Sequence, residues 1–275
     1  MLKNIATAGV GLSIMGTASA DNDVAAREGT GGFTMDLSGS EMKRPEEMRE
    51  IAKNTADKHN TDASSIVPGT DDGGFGTMNQ NPDLSGCDEI GGWNNSYYIT
   101  DDVSNVKYAK VDNLVMLYRA YEPEPNGRWT YAVWLWSGGT PLDKPYSPGG
   151  IDWMTNKIDV LSQFDVLKFD PAVREKKHGK NVSFGITVGT GSDATPTVGI
   201  SGSSDVYEGY VTTVDADVDD AGHVKTKFKG SPYDGAQKAT SLNAAIAIRG
   251  DRKLGFDTEL PDSDFNWEVH GYYGV

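Results

Sequence analysis

Asp215, Asp217 and Asp219 recur at every second position, the opening of a loop that presents alternate carboxylates to one calcium ion. An EF-hand loop continues with Gly at its sixth position and Glu at its twelfth. Asp220 and Thr226 stand there instead, and strand pairing gives the three acids a second explanation. The four histidines, His59, His178, His223 and His270, have no second ligand at zinc spacing. The lone Cys87 can form neither an internal disulfide nor a Cys₂ zinc site. No nucleophile elbow accompanies any serine. Carboxylate pairs for glycoside cleavage are recognised by their separation in space, not along the chain. These residues assign no catalytic, cofactor-binding or metal position, and the chain is expected to work without a cofactor.

Other residue groups point to contacts rather than reactions. Val182, Phe184, Ile186 and Val188 alternate with Ser183, Gly185, Thr187 and Gly189, and after a Gly191–Thr197 loop Val198 and Ile200 resume the apolar face. An apolar face opposite a small, weakly polar one is what a membrane-inserting hairpin needs. The nine residues from Val182 to Thr190 just reach the roughly 9–11 that cross a bilayer. The second strand of this hairpin reads as shorter, and a half-buried sandwich hairpin shows the same alternation. Trp93, Trp134, Trp136 and Trp153 would form an aromatic binding surface if exposed, and core if buried. Arg174 to Lys180 is a basic island, suited either to an anionic surface or to a solvated loop. Asn94-Asn95-Ser96 and Asn181-Val182-Ser183 are acceptor triplets for glycosylation at Asn94 and Asn181 in an exported chain.

Export is what the first 20 residues predict. Lys3 supplies a positive start, Ile5 to Thr17 a short mild apolar run, and Ala18-Ser19-Ala20 a small-x-small cleavage site after Ala20. Leu2-Lys3-Asn4-Ile5-Ala6-Thr7-Ala8-Gly9-Val10-Gly11 resembles the middle of twin-arginine signals in secreted proteins of halophilic archaea. The Arg-Arg pair of such signals is absent, which leaves the twin-arginine and ordinary secretory routes both open. The 275 residues carry 25 Lys plus Arg against 40 Asp plus Glu, a net charge of −15, and Asp outnumbers Glu 28 to 12. That Asp-rich balance also looks like a halophile's surface: about 1 M salt shortens the Debye length to roughly 3 Å and makes the self-repulsion tolerable. Nucleic acid is excluded as a partner, since phosphate binding needs clustered Lys and Arg.

The elements that would position these residues are strands. Residues 21–92 read as a polar, loosely ordered leader with one amphipathic helix over 44–59, where Pro45 suits the first turn and Glu46 and Glu47 its positive end. From Trp93 to the end, β-branched and aromatic runs are punctuated by Gly, Pro, Asn and Asp. Leu114–Tyr121 and Arg128–Trp136 flank an Asn126-Gly127 turn. A three-residue loop at Asp220-Ala221-Gly222 would pair Asp219 with His223, Asp217 with Lys225, Asp215 with Lys227 and Val214 with Phe228, placing charges on one face and apolar groups on the other. The runs Leu242–Ile248 and Phe265–Val269 alternate in the same way. The expected fold is an all-β antiparallel sandwich or barrel over 93–275. The expected function is a secreted or cell-surface binding protein for a glycan, envelope component or protein partner. The alternatives are an antimicrobial, pore-forming protein of halocin type acting on neighbouring cells, the only reading with membrane contact, and a secreted hydrolase.

Overall fold

The computed structural model describes residues 27–59, 61–68, 86–100, 107–142, 149–159, 164–172, 175–189, 198–216, 223–230, 240–256 and 264–273. The expected signal segment and the Gly191–Thr197 and Asp220–Gly222 loops lie outside them. Eleven strands follow in chain order: β1 (Arg27–Asp36), β2 (Cys87–Thr100), β3 (Lys107–Ala120), β4 (Trp129–Pro141), β5 (Gly149–Asp159), β6 (Phe164–Asp170), β7 (Lys177–Val188), β8 (Val198–Ala216), β9 (His223–Gly230), β10 (Thr240–Gly250) and β11 (Asp264–Tyr273). Helices α1 (Pro45–His59) and α2 (Ala63–Ile66) stand between β1 and β2. One antiparallel sheet runs β1-β11-β5-β9-β8-β7 and the other β2-β3-β4-β10-β6, the expected all-β sandwich.

The central strands of the five-stranded sheet, β3, β4 and β10, are buried on both faces, which is why β4 reads as a nearly continuous apolar run and not as an alternation. On one face Asn156 Nδ2 of β5 donates to Ser137 Oγ at 3.4 Å, and Ile151 and Met154 lie where a Cβ on Gly139 would be. On the other, α1 and α2 supply apolar side chains, and α2 with the residues after it supplies carbonyl acceptors. Trp134 Nε1 donates to the Ile66 carbonyl (3.0 Å), Asn243 Nδ2 to that of Ser65 (3.0 Å) and Tyr118 Oη to that of Pro68 (3.2 Å).

Residues 27–68, expected as a loose leader, are built into this body. α1 forms where it was expected and buries Met48 and Ala52, while β1 pairs with β11 at the far end of the chain. The Gly-rich β1 has little strand character of its own, so only that distant partner makes it a strand. The β8–β9 register also differs from expectation. Asp215 lies opposite Lys225 and Ala216 opposite Val224, a slip of two residues that leaves these two positions on the faces expected for them. A bulge between Thr213 and Asp215 then turns Val214 outward, 46% exposed, where an inward position opposite Phe228 was expected.

Candidate functional site

The β7–β8 hairpin is the feature most clearly set apart from the sandwich. Its register pairs Phe184 with Gly202, Ile186 with Ile200 and Val188 with Val198 on one face, and Ser183 with Ser203, Gly185 with Ser201 and Thr187 with Gly199 on the other. All six expected apolar positions, Val182, Phe184, Ile186, Val188, Val198 and Ile200, therefore share a face. Phe184, Ile186, Val198 and Ile200 are buried and Val182 and Val188 half-buried, whereas Ser183 and Thr187 are exposed. The second strand was expected to be short, yet β8 is the longest strand in the fold at 19 residues. Its pairing with β9 covers only Gly209 to Ala216. From Val206 to Val198, β8 has β7 as its one ladder neighbour among the described residues. This part of the hairpin is an arm that leaves the sheet and lies across β4 and β10 on the helix-covered face.

The arm is held by packing and a small polar clasp. A Cβ on Gly202 would stand 2.9 Å from the Trp134 ring, so the glycine lets the arm settle directly on that side chain. The Cys87 thiol donates to the Gly199 carbonyl at 3.9 Å, and burial pushes its pKa up to about 11 against the opposing effect of that contact. Asp170 at the end of β6 accepts from the Gly185 N–H partway along the arm (2.6 Å) and from Lys177 Nζ at its root (2.9 Å). Lys177 also donates to the Ser183 carbonyl (2.8 Å), and Thr213 Oγ1 donates to that of Pro171 (2.5 Å). Gly179, at φ 104°, occupies the break in the β7 ladder where the arm begins.

The expected aromatic surface is not brought together. Trp93, Trp134 and Trp136 are at most 1% exposed, and only Trp153 is half-buried on an outer face. The correction follows from the two-sided burial of the five-stranded sheet's centre, which needs large side chains on both faces. Asn94 lies within edge strand β2 and is half-buried, and Asn181 falls in the irregular part of β7. Among the described residues no three His, Cys, Asp or Glu side chains are grouped to hold a metal ion. No described helix is long and apolar enough to cross a membrane, which says nothing of strands.

One buried polar cluster escaped the sequence reading. His59 Nε2 bonds Asp112 Oδ2 (2.9 Å) and His59 Nδ1 bonds Thr140 Oγ1 (2.8 Å), while Ser96 and Lys110 donate to the same carboxylate. Burial would raise the Asp112 pKa, but these donors outweigh it and hold the carboxyl well below the usual range. The side chains of His59 and Asp112 are 3% and 5% exposed, and Trp136 meets the imidazole edge-on at 5.2 Å. The cluster is a brace that fixes the end of α1 to β3 and β4. His59 and Thr140 stand 53 and 28 residues from Asp112 along the chain, so no local spacing marks their meeting.

No known protein family and no curated protein matches the chain. Solved structures similar to it include one described as a pore-forming protein, 12% identical, covering 60% of this chain and 75% of that one with a TM-score of 0.35.

Proposed function

We propose that this protein perforates membranes by releasing the β7–β8 arm. The observation that carries the reading is that the arm has no ladder hydrogen bonds to the rest of the sandwich among the described residues, so release breaks side-chain packing and the Asp170 clasp. The ten residues from Gly179 to Val188 extend about 30 Å. Tilted as barrel strands are, that length fits an apolar band roughly 25 Å tall. A single hairpin in lipid would leave its outer backbone groups without partners, so arms from several copies must close into a barrel. The apolar face would meet lipid and the Ser, Thr and Gly face would line the water-filled interior. Delivery to neighbouring cells would follow from the expected export signal. Binding of an extracellular ligand is the lesser reading, since three of the four tryptophans offered for it lie in the core.

Dye-loaded vesicles test the proposal with Cys87 as a built-in reporter. Release of dye together with faster labelling of Cys87 by a maleimide is the expected result, because the thiol lies under the arm. Dye retention at every protein concentration would overturn the reading, and so would leakage with Cys87 still protected.

A further inference from the structure

The outward face of β5, β9 and β8 carries a concentration of lysine and aromatic side chains in a chain of net charge −15. Strand β9 alternates Val224, Thr226 and Phe228 into the core with Lys225, Lys227 and Lys229 outward. The register places Tyr210 and Trp153 on either side of Lys229, and Thr212 and Thr155 on either side of Lys227. Lys227 Nζ lies 4.6 Å from the Trp153 ring centre, and Lys176 Nζ 4.5 Å from that of Tyr210. Stacking of this kind holds the ammonium groups beside the rings. Toward the other end of β9, Asp215 lies opposite Lys225 and Asp159 bonds Lys157 at 2.6 Å, while at the near end Glu208 precedes Tyr210 by two positions in β8 and the exposed Glu175 adjoins Lys176. Glu268 of β11 lies opposite Thr155. Lys176, Lys227, Lys229, Tyr210 and Trp153 thus gather at the end where β9 stops at Gly230 and the arm leaves the sheet.

We infer that this cluster is an interfacial anchor that binds the phosphates of anionic lipid headgroups at the arm's root. Aromatic rings with one wet edge and long amines that reach past them are what the boundary between hydrocarbon and water selects. Its position meets the requirement independently, because a crossing hairpin needs its membrane boundary where the strands leave the body. The charge complementarity is local and runs against the sign of the whole molecule, so it does not follow from composition. The inference rests on the perforation reading for its orientation, but binding can be measured apart from leakage.

The experiment compares co-sedimentation with phosphatidylcholine vesicles, with and without phosphatidylglycerol, for the full chain and a Lys176→Gln/Lys227→Gln/Lys229→Gln variant. It is run in the lowest salt at which both keep the same near-ultraviolet circular dichroism. Each lysine near an anionic surface contributes roughly fivefold, so the variant should bind phosphatidylglycerol vesicles about a hundredfold more weakly. A Trp153→Phe/Tyr210→Phe variant keeps the lysines and should lose less. Equal binding by parent and lysine variant overturns the anchor, and so does equal binding by the parent to both kinds of vesicle. Lysine-dependent binding without leakage supports the anchor and sinks perforation. Leakage that ignores the lysines does the reverse.

Discussion

Cys87 and Asp112 both lie on the five-stranded sheet, and their surroundings move them in opposite directions. With its pKa pushed up to about 11 by burial, the Cys87 thiol should react with maleimide at pH 8 roughly two orders of magnitude more slowly in the native protein than in denaturant. Equal rates would mean that the arm does not cover it. Asp112 is held low, so its contribution to stability is complete above about pH 5 and is lost as pH falls through the ordinary carboxylate value near 4 and below. Removing the carboxylate leaves buried donors without their acceptor, at a cost of about 1–3 kcal/mol. Asp112→Asn should therefore lower the thermal midpoint at neutral pH and flatten its fall on the acid side. A variant with the parent's acid profile would show that another carboxylate governs it. Nothing local in the sequence marks His59 or Asp112, because their meeting depends on α1 packing across β3.

At the level of elements, the arm's two faces were legible because period-two alternation survives any even shift of register. Its root was not, since that depends on where β9 stops, a fact written in another strand. The same ambiguity explains the β8–β9 slip: Asp215 finds a lysine opposite at either register. Strand β1 was illegible for a different reason, having its partner in β11 more than two hundred residues away. Two substitutions test the arm as a unit. Gly202→Val forces a side chain against the Trp134 ring at a cost of about 1–3 kcal/mol. Faster Cys87 labelling in solution and faster leakage should follow, with labelling at the parent's rate as the contrary outcome. Thr187→Lys alters an exposed position on the polar face, so the fold should persist. In planar bilayers the channels should shift toward anion selectivity, and an unchanged reversal potential would place that face away from the pore.

On the scale of the whole molecule, the acidic excess and the sandwich are separate properties. The strand pattern predicts the fold without reference to charge, and the charge bears on the conditions in which the fold is stable. If the Asp-rich surface is an adaptation to brine, the thermal midpoint should fall as salt is lowered from molar to dilute. A midpoint indifferent to salt would remove that setting while leaving the arm untouched. The arm also divides β8 within its own length. Amides from Gly209 to Ala216 lie along β9, with β7 reaching this part only where Lys177 pairs with Val211, whereas those from Val198 to Val206 have β7 alone as ladder neighbour among the described residues. Deuterium exchange should therefore sort a single continuous strand into two protection classes, the first part exchanging once the arm lifts and its isolated two-stranded ladder, marginally stable in water, frays, and the second by opening of the sandwich. β8 would keep two clocks, and the faster would measure how often a monomer in solution rehearses the step that commits it to a membrane.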